Sequence, residues 1–416
     1  MPLDVTDSEV VAMRAAVAAA EPSFLADLQR LCSIDCGSYS LPGVNEVATW
    51  VAAEMARLGA TVERRPDPEG RYGDTVLGTW SNPALAGRGP RLLLIGHMDT
   101  VFEDGTAAAR PFRIEAGIAY GPGVTDMKGG LLTGLYAIRA LRDVLRAAAD
   151  YPADAPLPFE RLTYIANPDE EIGSPSSRPH IQAVAAETDA CLCLECARAN
   201  GDFVSSRKGI ADIHLSIHGR AAHAGVEPEK GRSAILAGAH LVTAIHALNG
   251  RWPGVTANVG VFKAGTRPNI VPDEAHLEVD LRGTTGDALD AAKAAIADLA
   301  AAPAVPDVTV TVEKMAGWRP MEKLERSGRL VELTIELARR LGFETTDAAT
   351  GGAGDANTTA GMGVPTIDGL GPVGGRDHSP DEYLEVASIV PRTALVAVLL
   401  LAISRDPIIA GWRSGR

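Results

Sequence analysis

Positive charge is in deficit in this sequence. Lys and Arg number 39 against 53 Asp and Glu, a formal net charge of −14. Nucleic-acid binding wants a basic face and an anionic membrane surface wants the same, so both are expected to be absent from the protein's partners. No apolar run reaches the roughly 18 residues of a membrane span. The opening Met1-Pro2-Leu3-Asp4-Val5 lacks a basic segment followed by an apolar core, so no secretory signal is expected. Cysteine is scarce as well. Five in a long chain is an odd count, whereas disulfide scaffolds are usually short and even-numbered. A soluble protein in a reducing, cytoplasmic setting is the default expectation.

What the sequence does hold is enough apolar residue, 46% against 22% charged, for a sizeable core. At roughly 150 residues per domain, 416 residues suggest two or three domains. A weak helical pattern runs toward Ser33. Val47, Trp50, Val51, Met55 and Leu58 then mark a helix over 45–58. Leu92-Leu93-Leu94-Ile95 is a short unbroken apolar run, as in a strand buried on both faces; 162–166 and 190–194 read alike. A Gly/Pro turn at 120–123 leads into a helix over 128–147. Strands alternating with helices predict an α/β sheet. From Ala211 the pattern changes to strict alternation, opening strand 211–218, helix 232–248, strands 255–263 and 274–282, helix 287–301 and strand 308–314. That β-α-β-β-α-β order is the ferredoxin-like split motif. The α/β pattern then returns, with helices over 324–341 and 384–403. The expected architecture is an α/β/α domain, residues 1–207 and 319–416, interrupted by a ferredoxin-like domain at 208–318.

In open α/β sheets, chemistry gathers at the carboxyl ends of strands. His97 and Asp99 follow one buried strand, Glu170 and Glu171 another, and Glu195 ends a third. Asp126 precedes a helix, and His378 lies in a loop before the last one. Any single acid here reads as a solvated carboxylate. Two imidazoles with several acids at strand ends form a set that suits zinc or a similar divalent ion. Five ligands exceed one tetrahedral site with an open position, and suit two metals about 3.5–4 Å apart. Cys191 and Cys193 share a face of a buried strand, where cysteine serves as a small hydrophobe rather than a ligand.

His97-x-Asp99, Gly123-x-x-Asp126-Met127-Lys128-Gly129-Gly130, Asp169-Glu170-Glu171-x-Gly173 and Gly219-x-Ala221-x-His223-Ala224-Gly225 occur in this order between residues 97 and 225. They resemble the motifs of the co-catalytic zinc aminopeptidase and carboxypeptidase clan. The match is strongest to the bacterial glutamate carboxypeptidase branch, whose relatives include acetylornithine deacetylase, succinyl-diaminopimelate desuccinylase and aminoacylase. The resemblance implies a zinc-peptidase-like α/β domain whose inserted ferredoxin-like domain acts as a lid and dimerisation surface.

Carried over position by position, the resemblance implies that His97 and Glu195 bind one metal, Glu171 and His378 the other, and that Asp126 bridges them. Asp99 would hold the second nitrogen of the His97 imidazole, and Glu170 would act as general base toward a metal-bridging water that attacks the carbonyl. A cis peptide is implied at Asp126–Met127. His223 matches a histidine that reaches into the partner subunit's site to stabilise an oxyanion, while Asn269, Arg282 and the loop around Gly352 match positions that touch substrate. Two Zn²⁺ are the implied cofactors, and manganese or cobalt suits the same ligands. The implied activity is hydrolysis of an amide bond next to a free carboxylate, by a homodimeric carboxypeptidase-like enzyme on a dipeptide or N-acyl amino acid. A dedicated N-deacylase of the acetylornithine deacetylase or desuccinylase type is the alternative. Gly317 stands near the place of an arginine that reads glutamate in that branch, so the resemblance does not carry glutamate preference with it.

Overall fold

The computed structural model describes residues 4–148, 151–152 and 155–415. The expectation that rests on Met1 to Leu3, the missing signal segment, lies outside the described residues. Two compact units emerge. One comprises the chain up to Ser206, Lys323–Ala349 and the chain from Gly354 on; the other is Arg207–Glu322 with Thr350–Ala353. The sequence put the inserted segment at 208–318. Its ends extend to 207 and 322 because Arg207 and Met321 exchange backbone hydrogen bonds of 3.0 Å in both directions.

In the first unit a six-stranded sheet runs in the order Thr61–Arg65, Thr75–Ser81, Arg161–Asn167, Arg91–His97, Ala190–Cys193, Thr366–Ile367. The last four strands are parallel, and the first two join antiparallel. The unbroken run Leu92–Ile95 explains the central place of its strand, since all four side chains are buried between layers. Register does the positioning. His97 pairs with Asn167 and Ile95 with Cys193, so the carboxyl ends of three neighbouring strands open at one edge.

Helices Gly129–Ala147, Asp7–Cys32 and Val386–Ser404 contribute to one apolar core with that sheet. The first helix, Asp7–Cys32, runs where the weak pattern did, up to Ser33. It is alanine-rich, which favours helix without writing a period, and a capping box of Thr6 and Glu9 starts it. Helix Leu41–Arg57 begins four residues before the expected 45, because Pro42 is tolerated in a first turn. At the far end, Tyr383–Glu385 is a strand and the helix begins only at Val386, which corrects the expected start at 384. That strand joins Gly374–Gly375, Ile118–Tyr120 and Arg113–Glu115 in a small sheet; strands this short carry no readable alternation. Helix Val386–Ser404 is long and apolar enough to cross a membrane, with mean hydropathy 2.3 over its best window, yet 78% of that window is buried inside the protein. The core takes it up, including Arg392, whose guanidinium donates to the carbonyls of Gly371, Gly201 and Gly369.

The second unit is a four-stranded antiparallel sheet ordered Thr256–Ala264, Glu274–Gly283, Gly209–His218, Thr309–Trp318, with helices Ala234–His246 and Gly286–Ala301. Along Gly209–His218 buried residues alternate with half-buried ones, so one face meets the helices, as the period-2 pattern requires.

Candidate metal centre

At the carboxyl edge of the first unit's sheet, His97 is fully enclosed. Its Nε2 stands 3.1 Å from Asp126 Oδ1 and 3.6 Å from Glu195 Oε1. Its Nδ1 is 3.0 Å from the carbonyl oxygen of Asp99 and 3.3 Å from that residue's Oδ1. On the other side His378 Nε2 lies 3.2 Å from Asp126 Oδ2 and 3.0 Å from Glu171 Oε2. Asp126 therefore offers one oxygen to each imidazole. His378 reaches this position from a left-handed backbone, φ 61°, which is uncommon outside glycine. The peptide Asp126–Met127 is cis.

Among the described residues, two groups hold donor atoms within 4.8 Å of one another: His97, Asp126 and Glu171, and His97, Glu170 and Glu195. The second keeps Glu170 among the candidate ligands, as its strand-end position suggested, whereas the resemblance made it the general base. Glu171 Oε1 is buried without a hydrogen-bond partner. Such a lone carboxylate oxygen is costly unless a cation meets it. Four carboxylates and two imidazoles gathered at one sheet edge, one of their oxygens unpartnered, fit one or more divalent cations.

The electrostatics agree. Burial pushes the Glu170 carboxyl well above its usual range, and it raises Glu171 as well. Burial would raise Asp126 too, but His378 and His97 outweigh it and hold its carboxyl low. His378, drawn up by Asp126 and then Glu171, reaches about 10. For His97 burial opposes the charge, and hydrogen bonds with Asp126 and Asp99 overcome it to raise the imidazole well above normal.

Supporting residues explain the precision. The Asp99 carboxylate accepts the backbone N–H groups of Glu170 (3.1 Å) and Glu171 (3.2 Å) and the Ser38 hydroxyl (2.6 Å). It thus fastens the turn that carries both glutamates, besides standing near His97. Sequence reasoning missed Glu382. This buried carboxylate accepts N–H groups from Gly123 (2.8 Å), Thr125 (2.9 Å) and Asp126 (3.0 Å), fixing the loop that presents Asp126. Burial lifts it to about 7. Its signal was faint: an acid four residues after His378, in a loop with no period. Asp355 was also missed. It is buried, accepts hydrogen bonds from Ser174 Oγ (2.5 Å) and Asn167 Nδ2, and is raised by burial to about 6.

The remaining predicted residues belong to the second unit. His223 is exposed, and its Nδ1 accepts the Gly225 N–H at 3.1 Å. Asn269 is exposed, and its backbone carbonyl accepts from Ala224. Arg282 donates to Asp280 Oδ2 (2.9 Å) and to the Gly351 carbonyl (2.8 Å), so a substrate carboxylate would compete for a guanidinium already engaged. The Gly352 carbonyl accepts from Arg207 at 3.2 Å.

The sequence profile of peptidase family M20/M25/M40 matches residues 93–402. The chain belongs to this family. Its curated relatives include carboxypeptidase G2 of Pseudomonas sp. (strain RS-16), 31% identical over 92% of this chain and 89% of that one. Acetylornithine deacetylase of Proteus mirabilis is 26% identical over 86% of this chain and 88% of its own. Among solved structures, aminopeptidase PepT from Bacillus cereus superposes with a TM-score of 0.73 at 23% identity, covering 92% of this chain and 99% of that one. Membership makes this M20 chain a hydrolase of peptide or amide bonds and implies the use of divalent metal. The structural likeness shows that the α/β fold described above is the family's.

Proposed function

We propose that this M20 hydrolase is a two-metal, carboxypeptidase-like enzyme that cleaves an amide bond next to a free carboxylate, in a dipeptide or an N-acyl amino acid. One observation carries the reading: Asp126 turns one oxygen to His97 and the other to His378. In this assignment His97 and Glu195 would hold one cation, Glu171 and His378 the other, with Asp126 shared. Zinc suits this nitrogen-and-oxygen set. The cations would supply Lewis acidity and a water acidic enough to attack a carbonyl near neutral pH. Glu170 would take the proton from that water and deliver it to the leaving nitrogen. Neighbours on one short turn cannot both face the same ion, which favours dividing ligand and base between Glu171 and Glu170.

Amine release from a panel of dipeptides and N-acyl amino acids, with metal content assayed in parallel, tests the reading. Cleavage of carboxylate-terminated substrates by protein holding about two metals per chain is expected. Turnover of a single acyl amino acid with no dipeptide cleaved would replace the carboxypeptidase by an N-deacylase. Absence of any hydrolysis by metal-loaded protein would end the proposal.

Within the second unit, we assign His223 to the oxyanion of a partner subunit's site. The Gly225 N–H on Nδ1 supports this by leaving Nε2 as the protonated donor. Exposed Val226, Ile235, Leu236, Phe262 and Ile270 on the same unit support a homodimer. His223→Ala and Glu170→Gln proteins, each inactive, are expected to regain about a quarter of wild-type activity once equal amounts exchange subunits, because one site per mixed dimer is whole. Proven exchange without recovery removes His223 from the partner's site.

A further inference from the structure

The long apolar helix Val386–Ser404 holds a single charged residue, Arg392, and encloses it almost completely, at 2% exposure. We propose that Arg392 is a positioning residue for Glu195: through the backbone of the 369–372 loop it holds that carboxylate in place beside His97. This rests on the metal-centre reading above and adds to the centre a residue that acts from behind it.

The connection runs through hydrogen bonds alone. The guanidinium donates from Nε to the Gly371 carbonyl at 3.0 Å, from Nη2 to the Gly369 carbonyl at 2.5 Å and from Nη1 to the Gly201 carbonyl at 3.0 Å. Gly371 in turn donates its N–H to the Glu195 carbonyl at 2.8 Å, and Ala197 N–H donates to the Pro372 carbonyl at 3.1 Å. The loop is thereby tied to the backbone of Glu195 itself and again two residues on, while Gly201 anchors the same stretch farther along. There is no slack at the join. A Cβ on Gly371 would stand 2.8 Å from the Leu194 carbonyl oxygen, 2.9 Å from that of Glu195 and 3.2 Å from Gly130 Cα. Gly130 lies in the first turn of helix Gly129–Ala147, just after Asp126, so the loop also sets Glu195 against the segment that bears the shared carboxylate.

A charge is a costly way to fill this place. Burial disfavours the guanidinium enough to bring its pKa down to about 10, so it is still protonated at neutral pH. Its hydrogen-bond partners are neutral carbonyls rather than a carboxylate. Buried charges are seldom a net source of stability, and a well-packed apolar side chain commonly does as well or better. Leu395, Val396 and Leu399 on the same helix are packed in that way. What an apolar side chain lacks is the planar fork of donors, which here grips alternate carbonyls of one loop at a fixed spacing. The arginine supplies geometry rather than cohesion, and Glu195 is the candidate ligand that receives it.

Cobalt titration of chelated protein, followed by its absorbance, reads the two metal-binding steps without any turnover. Arg392→Met is expected to weaken one step by about 10–100-fold, the usual cost of losing a group that orients a metal ligand, and the other by less than about threefold. Arg392→Lys keeps the charge without the fork and should fall between wild type and Arg392→Met. Gly371→Ala crowds the Glu195 carbonyl with the arginine intact, and should weaken the same step. Leu399→Ala, a cavity in the same helix, should lower the unfolding temperature and leave both steps unchanged. On a Glu195→Ala background, Arg392→Met should no longer alter the remaining step, since both substitutions act on one ligand. Wild-type affinities in the folded arginine variants, equal weakening of both steps, or an undiminished effect without Glu195 overturns the role of Arg392 and leaves the metal centre standing. If neither arginine variant folds, unchanged affinity in Gly371→Ala overturns it. Wild-type protein that takes up fewer than two cobalt ions ends the two-metal reading, and this inference with it.

Discussion

Replacing Glu170 by glutamine is expected to lower kcat by about 10²–10⁴-fold, the usual contribution of a positioned general base, with two metals still bound. The exchange keeps the size of the side chain and removes only its capacity to take a proton. The site explains why that capacity resides here. Glu170 is half-buried, and Asp99 holds its backbone N–H at 3.1 Å. Gly354 presses close behind it: a Cβ there would stand 2.9 Å from Glu170 Oε1. Burial raises the carboxyl well above the usual range, and Glu195, Asp355 and Glu171 add to the rise. A raised base loses activity on the acid side, because it must be ionised to accept a proton and becomes protonated as pH falls through its elevated pKa. The wild-type rate should therefore decline with acidification earlier than an ordinary glutamate would dictate, and the glutamine variant should lack that limb. Metal analysis separates the two roles the geometry offers Glu170. Retained metal with lost turnover marks a base, while metal lost together with turnover marks a ligand in the His97–Glu195 group. Undiminished turnover would refute both.

The parts of this protein that were legible in its sequence are those governed by a period or by a strand end. Leu92–Ile95 announced the central strand, and His97, Glu170 and Glu195 could be placed because a parallel sheet brings its carboxyl ends together whatever lies between them in the chain. The alternation from Ala211 to His218 disclosed the second unit for the same reason. Asp126 and His378 end no strand of the six-stranded sheet; a motif before a helix marked Asp126, and a loop before the last helix marked His378. Glu382 and Asp355 stayed hidden because their task is to accept hydrogen bonds from N–H and hydroxyl groups brought near by tertiary folding, and no spacing in the chain encodes that. Asp99 was half legible. Its two-residue offset from His97 predicts a shared side of an extended chain, and its carboxylate does lie 3.3 Å from the imidazole. That it also receives Ser38, Glu170 and Glu171 depends on separate segments meeting, which no spacing in the chain encodes.

Chelation is expected to abolish hydrolysis, readdition of zinc, manganese or cobalt to restore it, and metal uptake to release protons. The proton release follows from the charges gathered at the site. Asp126 and Glu171 lift His378 to about 10, and Asp126 with Asp99 lifts His97 against its burial. In chelated protein at neutral pH both imidazoles thus favour the protonated form. Both folded values lie above the unfolded value near 6.5, so the stability that charged His378 lends that form is complete below about pH 6.5 and fades as pH climbs through about 10, and the contribution of His97 likewise fades only well above the ordinary imidazole range. A metal needs the neutral ring, so each cation must expel a proton to bind, and apparent affinity should rise with pH by up to about tenfold per unit for each proton displaced. Chelator competition at pH 6, 7 and 8 measures the slope, and calorimetry in two buffers of different ionisation enthalpy counts the protons. Because the metal binds the folded chain, saturation should also raise the unfolding temperature, by the equivalent of about 4 kcal/mol at a thousandfold excess over Kd. That gain should shrink toward acid, where protons compete for the same nitrogens. An affinity indifferent to pH would mean that His97 and His378 are not ligands, and the shared position of Asp126 between them would then need another cause.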